Sequence, residues 1–229
     1  MNSPEPARIV VLVSGRGSNL EALLAATENG SIDGRVVAVV SNRPGAFALE
    51  RARRHGVVAQ TVDHTAYADR AAFDLALREA IDAHAPTLVV LAGFMRILTP
   101  EFVAHYAGRM LNIHPSLLPA YPGLRTHARA LVDGVERHGA SVHFVTNELD
   151  GGPVVLQGEV AVHEGDDPER LAARVQLVEH AIYPQAVAWY AAGRLRLAGD
   201  HVELDGRRLD APPRVRLEDT AHGTDIASQ

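Results

Sequence analysis

The sequence predicts an α/β fold: an open, mostly parallel and twisted sheet, helices on both of its faces, and a hairpin near the C-terminus. Three observations lead to this prediction. Short continuous apolar runs, such as residues 9–13 (Ile-Val-Val-Leu-Val), are typical of strands buried on both faces of a parallel sheet. Segments with helical apolar spacing alternate with these runs. Turns rich in glycine, proline and asparagine separate them.

The first half of the chain, about residues 8–107, alternates between strand and helix. Apolar and β-branched residues cluster in the predicted strands, at 8–13, 35–40, 57–62 and 87–92. Helical spacing or helix-start signals mark the predicted helices, from 20 onward and at 46–55, 67–84 and 99–106. The last of these starts at Thr99-Pro100, because Thr is a good N-cap and Pro is favoured at the first helical position.

The second half, about residues 108–210, completes a single predicted domain that spans residues 1–210. The expected elements are a short strand ending at 109–111, strands at 141–145 and 154–162, helices at 127–132 and 166–190, and a hairpin over 194–204. From residue 211 to 229 the chain is polar and contains prolines. This tail is therefore predicted to be disordered.

Composition narrows the possible partners. The 229 residues are 47% hydrophobic and 22% charged, and the net charge of −6 does not suggest a nucleic-acid partner. The absence of cysteine excludes disulfides, Cys-ligated metals and a Cys nucleophile. The 12 histidines show no metal-ligand spacing, so no metal is predicted. No apolar run could span a bilayer and no signal peptide is evident. We expect a cytoplasmic monomer or homodimer that acts on small molecules and binds neither nucleic acid nor membrane.

A glycine-rich turn, residues 14–19 (Ser-Gly-Arg-Gly-Ser-Asn), joins the first strand to the first helix. Backbone N–H groups at a helix N-terminus favour anions, and glycine lets the backbone approach them closely. A dinucleotide is not expected, because Leu20 stands where a third glycine would be and no acidic residue ends the second strand. Two interpretations remain open: a site for a simple phosphomonoester, or a purely structural turn.

A second stretch, residues 112–119 (Asn-Ile-His-Pro-Ser-Leu-Leu-Pro), places an amide and an imidazole two residues apart where a strand ends. Residues i and i+2 of a strand share a face, so Asn112 and His114 can reach one pocket. An amide can donate to a developing oxyanion, and histidine is a proton carrier near neutral pH. A carboxylate from residues 148–153 (Glu-Leu-Asp-Gly-Gly-Pro) could orient the imidazole. The pattern predicts chemistry at a carbonyl, although ordinary loop hydrogen bonding also fits it.

These stretches resemble a known family. Residues 112–119, followed by Asp-Gly-Gly-Pro at 150–153, are similar to formyltransferases that use 10-formyltetrahydrofolate, and most similar to those that formylate glycinamide ribonucleotide. The similarity covers about residues 8–209. It implies a Rossmann-like fold and direct formyl transfer in purine synthesis, with 10-formyltetrahydrofolate as co-substrate.

The resemblance also implies roles for individual residues. The implied catalytic residues are Asn112, His114 and Asp150, with Asp150 holding His114. The implied ribonucleotide-binding residues are Gly17, Ser18, Asn19 and Glu179. The implied folate-binding residues are Arg70, Met95, Arg96, Ile97, Leu98 and Asn112. The residues alone leave other interpretations open. Arg70 and Glu179 could be solvent-exposed charges on helices, and residues 95–98 could pack against the next helix. His143 could face the site or simply lie in the sheet.

Three other functions share parts of this pattern. A 10-formyltetrahydrofolate hydrolase would be expected to carry an added N-terminal regulatory domain, whereas the first predicted strand begins at Arg8. A formyltransferase acting on aminoacyl-tRNA would be expected to carry a basic C-terminal domain, whereas this chain is acidic. A noncatalytic module for sugar phosphates or folate would use the same glycine-rich turn but would give no reason for Asn112, His114 and Asp150 to converge. A Ser116-based hydrolase is disfavoured, because no Gly-x-Ser-x-Gly elbow surrounds that serine.

Overall fold

The computed structural model describes residues 5–217 and 226–228. The strands are β1 Ala7–Val13, β2 Gly34–Ser41, β3 Val58–Thr61, β4 Leu88–Leu91, β5 Met110–His114, β6 Arg137–Phe144, β7 Val154–Ala161, β8 Leu195–Ala198, β9 His201–Leu204, β10 Arg207–Arg208, β11 Arg214–Leu217 and β12 Ile226–Ser228. The helices are α1 Ser18–Glu28, α2 Phe47–Arg54, α3 Arg70–Asp82, α4 Pro100–His105, α5 Thr126–Val132 and α6 Pro168–Ala191, with a short 3-10 helix at His64–Ala66.

Among the described residues, nine strands form the main sheet, in the order β12-β11-β7-β6-β5-β4-β1-β2-β3. The segment from β3 to β5 is parallel throughout, as predicted. Strands β6 and β7 then pair antiparallel, which makes the second half of the sheet mixed. The predicted hairpin is present as β8 and β9, and β10 extends it into a small separate sheet.

The core lies in two layers, one on each face of the main sheet. Strand β1 shows how the sequence produces them, since its side chains alternate between the faces. Ile9, Val11 and Val13 pack in the layer that contains the apolar sides of α1, α2 and α6. Val10 and Leu12 pack in the opposite layer with α3 and α4. The apolar run that predicted a strand buried on both sides is therefore buried by helices on both sides.

The C-terminal tail departs from the prediction. Residues 214–217 are not disordered: β11 pairs in parallel with β7, and β12 pairs antiparallel with β11. Two interactions account for the order of β11. Val215 is buried in the core, and Arg216 lies 3.3 Å from the buried carboxylate of Glu159 on β7. Residues 218–225 and 229 of the predicted tail lie outside the described part of the chain.

Over residues 5–217 and 226–228, no helix has the length and apolar character needed to cross a membrane.

Candidate active site

The candidate site lies at one edge of the parallel part of the sheet. Strands β1, β4 and β5 are parallel neighbours, so their carboxyl ends meet at the same edge. Open α/β sheets bind ligands at this edge. The glycine-rich turn follows β1, residues 93–97 follow β4, and Asn112 and His114 end β5. The three stretches singled out in the sequence are therefore brought together.

A cavity of about 590 Å³ opens at this edge. It is lined by 93–97, 112–115, 123–127, Leu149 and Asp150. Its rim is unusually apolar for a surface, since Met95, Ile97, Leu124 and Leu149 are all more than half exposed. Patches of this kind mark binding surfaces more often than accidental exposure.

His114 is buried at the polar end of the cavity, and acceptors face both of its ring nitrogens. Nε2 lies 2.9 Å from the carbonyl oxygen of Tyr121, which can only accept, so Nε2 carries a proton. Nδ1 lies 3.4 Å from Oδ2 of Asp150. Both ring nitrogens of His114 therefore face oxygen atoms, a carbonyl on one side and a carboxylate on the other.

The local backbone positions Asp150. This residue has φ +52°, in the left-handed region that a non-glycine residue seldom occupies. The two glycines that follow leave space for the turn: a Cβ at Gly152 would overlap the carbonyl of Phe144. Oδ2 of Asp150 also accepts a hydrogen bond from the N–H of Gly123, at 2.8 Å. The carboxylate is thereby tied to the loop that carries Tyr121, as well as to His114.

His143 is buried in β6 and does not line the cavity, but it contacts Asn112 and fixes the orientation of that side chain. Its Nδ1 donates to the carbonyl of Phe144 at 2.9 Å, so the neutral ring offers a lone pair at Nε2. Burial lowers the pKa of His143 and keeps the ring in this neutral form. Nδ2 of Asn112 donates to that lone pair at 3.1 Å. The amide nitrogen of Asn112 therefore has one N–H bound to His143 and one that remains for a ligand.

The glycine-rich turn has the geometry of an anion site. Gly17 is the N-cap of α1 with φ +76°, and a Cβ there would lie 2.6 Å from Cβ of Ala48 on α2. Only glycine fits this position, on both conformational and steric grounds. Ser18 and Asn19 open the helix, where free N–H groups and the helix dipole favour an anion.

Helix α6 forms the second wall of this turn. The Asn19 amide donates to the buried carboxylate of Glu179 at 2.8 Å, and Gln176 donates to Oγ of Ser18 at 2.8 Å. Burial raises the pKa of Glu179. Oδ1 of Asn19 is buried and has no partner. Gly17, Ser18, Asn19 and Glu179 are thus brought together, as the resemblance implied, and Gln176 joins them.

The residues implied for folate binding are only partly brought to one place. Met95, Arg96, Ile97 and Asn112 line the cavity, together with His114 and Asp150. Leu98 does not line it but packs against the core layer of α3 and α4. Arg70 also lies outside the lining, at the first position of α3. The guanidinium of Arg96 lies 5.5 Å from the ring centroid of Phe73 on that helix.

The model of the family described as formyl transferase matches residues 7–187, most of the chain. The chain belongs to the formyl transferase family. Residues 7–187 include both the glycine-rich turn and the cavity, and they extend past Glu179 in α6. Both parts of the site therefore lie within the formyl transferase unit.

Curated and solved relatives agree with this membership. The chain is 57% identical to the phosphoribosylglycinamide formyltransferase of Escherichia coli (strain K12), over 90% of this chain and 96% of that protein. It is 47% identical to the solved phosphoribosylglycinamide formyltransferase of Coxiella burnetii, with a TM-score of 0.86 over 90% of this chain and 96% of that one. A formyltetrahydrofolate deformylase from Pseudomonas putida KT2440 is more distant, at 30% identity and a TM-score of 0.79 over 89% of this chain and 72% of that one.

Three groups at the candidate site have no role that the sequence assigns: His143, the carbonyl of Tyr121 and Gln176. The sequence shows only that His143 stands in an alternating strand, because the register with β5 that places it opposite Asn112 is visible only in the structure. Gln176 stands three residues before Glu179 in the predicted helix, so the two side chains are expected on the same helix face. The contact of the Tyr121 backbone carbonyl cannot be predicted from the sequence, because every residue has such a carbonyl.

Among the residues that the structure describes, no group of three or more His, Asp or Glu side chains is arranged to hold a metal ion.

Proposed function

We propose that this protein transfers the formyl group of 10-formyltetrahydrofolate to the primary amine of glycinamide ribonucleotide, as a step of de novo purine synthesis. The observation that carries the proposal is the convergence of Asn112, His114 and Asp150 at one end of an apolar cavity, on the same sheet edge as an anion-binding turn. The 57% identity to the Escherichia coli phosphoribosylglycinamide formyltransferase supports this choice of substrates.

The ribonucleotide binds at the turn between β1 and α1. Its phosphate accepts hydrogen bonds from the backbone of Gly17, Ser18 and Asn19, because the helix N-terminus offers unpaired N–H groups there. Glu179 and the unpartnered Oδ1 of Asn19 present acceptors to the sugar or amide groups beyond the phosphate. The single phosphate of this substrate fits a turn that lacks the features of a dinucleotide site.

The folate binds in the cavity. Its flat heterocycle lies in the apolar slot of residues 95–97, where Met95 and Ile97 present exposed side chains. Leu124 and Leu149 add exposed apolar surface, since both line the same cavity. Arg70, outside the cavity lining, contacts the charged tail of a folate that extends along α3.

Asn112 supplies the principal stabilisation of the reaction. As the amine attacks the formyl carbon, negative charge develops on the formyl oxygen. The N–H of Asn112 that does not bind His143 donates to this oxygen. Loss of one such donor typically costs about 3 kcal/mol of transition-state stabilisation, or roughly a hundredfold in rate.

His114 supplies a second donor and assists the proton transfer. Its Nε2–H is held by the Tyr121 carbonyl, which occupies the position that a substrate oxygen takes over. Asp150 faces the other nitrogen at 3.4 Å and orients the ring. The attacking amine loses one proton and the departing folate nitrogen gains one, so the transfer is balanced through His114 and water. No covalent intermediate with the protein is required, because the amine is itself the nucleophile.

A folate absorbance assay tests the proposal. Wild-type protein is given 10-formyltetrahydrofolate with and without glycinamide ribonucleotide, and the formylated product is quantified. We expect deformylation that depends on the ribonucleotide and falls by about two or more orders of magnitude in His114→Ala. His105→Ala is the matched control, because His105 binds Asp82 on the surface of α4, away from the site. Absence of turnover in the wild type, with both ligands still bound, would overturn the catalytic proposal.

The second candidate is hydrolysis of the same folate, which the similarity to the Pseudomonas putida deformylase suggests. In that reaction water replaces the amine, and no ribonucleotide is needed. The same assay separates the two, because deformylation at full rate without acceptor identifies the hydrolase. The glycine-rich turn favours the transferase, since a hydrolase would have no second substrate to place there.

The remaining expectations belong to the same proposal. We propose a cytoplasmic protein that acts without nucleic acid, as a monomer or homodimer. One domain over residues 1–210 would combine an N-terminal half that binds the phosphate with a C-terminal half that carries Asn112, His114 and Asp150.

A further inference from the structure

The buried hydroxyl of Ser14 joins the two substrate-binding loops. Ser14 directly follows β1 and is the first residue of the glycine-rich turn at 14–19. Its backbone N–H donates to the carbonyl of Gly93 at 3.2 Å, and its Oγ accepts from the N–H of Met95 at 2.8 Å. Oγ also lies 2.6 Å from Oδ1 of Asn42 at the end of β2. One serine thus contacts the turn after β4 twice and the end of β2 once.

The direction of each hydrogen bond is fixed by chemistry. A backbone N–H can only donate, so the Ser14 oxygen must accept from Met95. The single hydroxyl hydrogen is then available for Oδ1 of Asn42. Ser14 and Asn42 are both buried, at 5% and 0% exposure, so water cannot replace a lost partner easily. The arrangement is therefore specific to a side chain that both accepts and donates.

We propose that Ser14 is a positioning residue that sets the folate slot against the phosphate turn. The backbone N–H it holds belongs to Met95, whose side chain is exposed and begins the wall of the slot. This inference rests on the proposed function, because it assumes that folate and ribonucleotide bind at these two loops. A misplacement of about 1 Å between reacting groups can cost about a hundredfold in rate, so the alignment matters to turnover.

Ser14→Ala removes the shared hydroxyl. Two groups then lose that partner: the backbone N–H of Met95 and the side-chain oxygen Oδ1 of Asn42. The slot is then free to shift, while the turn remains held to α2 by the N–H of Ala48, which donates to the carbonyl of Gly15 at 3.0 Å, and by Nε of Arg51, which donates to the carbonyl of Arg16 at 3.0 Å. We expect the KM for 10-formyltetrahydrofolate to rise about tenfold and kcat to fall about tenfold, as the loss of one buried hydrogen bond would allow. The KM for the ribonucleotide should change less than about threefold.

Steady-state kinetics on each substrate, with Ser41→Ala as the matched control, test the inference. Ser41 is fully buried at the end of β2, and its hydroxyl contacts only the backbone of Arg43. Its removal therefore deletes an equivalent hydroxyl without touching either loop, and both KM values should stay near those of the wild type. If Ser14→Ala fails to fold, Ser14→Cys, which has the same shape, is slightly larger and hydrogen-bonds weakly, should show the same rise in folate KM.

The outcomes separate this inference from the proposed function. A wild type without ribonucleotide-dependent formyl transfer overturns the proposed function, and the inference with it. An active wild type in which Ser14→Ala and Ser14→Cys match Ser41→Ala in folate KM overturns the inference alone. Equal rises in both KM values would also overturn it, because general loosening of the fold does not select one substrate.

Discussion

At the residue scale, Asn112 makes the sharpest catalytic prediction. Asn112→Ala removes the N–H proposed to stabilise the developing oxyanion and also frees Nε2 of His143. We expect kcat to fall by about a hundredfold or more. The KM for folate should change far less, because the donor acts mainly in the transition state. Steady-state kinetics in the formyl-transfer assay measure both quantities.

The control for this prediction is Asn29→Ala. Asn29 ends α1 on the surface, where its side chain accepts only from the N–H of Ser31 at 2.9 Å. Its removal should leave kcat unchanged. A kcat for Asn112→Ala that stays within about threefold of the wild type would show that the oxyanion is stabilised elsewhere.

Residue types and spacing single out candidate reactive side chains but not the groups that direct them. Asn112 and His114 are recognisable as an amide and an imidazole where a strand ends, whereas only the family resemblance selects Asp150 among the residues at 148–153. The tautomer of His143 depends on the backbone carbonyl of Phe144, and the proton at Nε2 of His114 depends on that of Tyr121. Every residue has such a carbonyl, so the sequence cannot indicate which one is used.

At the scale of elements, the packing of α6 on β7 depends on a glycine. A Cβ at Gly158 would lie 3.0 Å from Cγ1 of Val178 and 3.2 Å from Cγ2 of Ile182, and it would overlap the other methyl of Val178. Gly158→Ala therefore overpacks this interface, and we expect a loss of about 1–3 kcal/mol in the free energy of unfolding. Urea unfolding measures it, as a lower midpoint with an unchanged m-value.

Gly45→Ala provides the comparison for this loss. A Cβ at Gly45 meets nothing within 4 Å. Its backbone is also outside the left-handed region. This substitution should change the free energy of unfolding by less than about 0.5 kcal/mol. Equal midpoints for the two variants would mean that α6 can move away from β7 at little cost.

The elements that the sequence predicted well are those with a strong local pattern. Continuous apolar runs located β1, β2 and β4, and the Thr99-Pro100 pair located the start of α4. Strand β11 was missed because Arg-Val-Arg-Leu offers one fully buried apolar residue and follows two prolines. Its order arises from pairing with β7 and from Glu159, both more than fifty residues away. No local pattern reports such partners.

At the scale of the whole molecule, the sequence predicted the class of fold but not the arrangement of its second half. A parallel sheet followed from alternating strands and helices. Strands β6 and β7 lie between β5 and β11, and both run antiparallel to their neighbours in the β5-β6-β7 segment. The periodicity of the sequence does not distinguish this topology from others. That topology brings His143 opposite Asn112 in the register, so part of the site depends on it.

The stability of the whole molecule should depend on two histidines with opposite effects of pH. His138 on β6 is buried against the rings of Tyr121 and His127, with Nε2 3.2 Å from Nδ1 of His127. Burial lowers the pKa of His138 to about 4. The unfolded chain therefore binds more protons than the native one between about pH 6.5 and pH 4, and stability is lost as the pH falls through this window. His138→Gln should reduce the loss, seen as a smaller drop in melting temperature between about pH 7 and pH 5.

His55 provides the opposite case, because the carboxylates of Glu28 and Glu21, at 2.6 Å and 3.0 Å, raise its pKa. Its contribution to stability is fully present below the unfolded pKa of about 6.5 and is lost as the pH rises through the higher folded value. His55→Gln should therefore lower the melting temperature more at about pH 5 than at about pH 8, the reverse of the change in His138→Gln. Melting temperatures of both variants, measured over the same series of pH values, test this prediction. If the two variants shift the pH dependence in the same direction, burial at His138 does not control its protonation, and the acid sensitivity of this fold has another source.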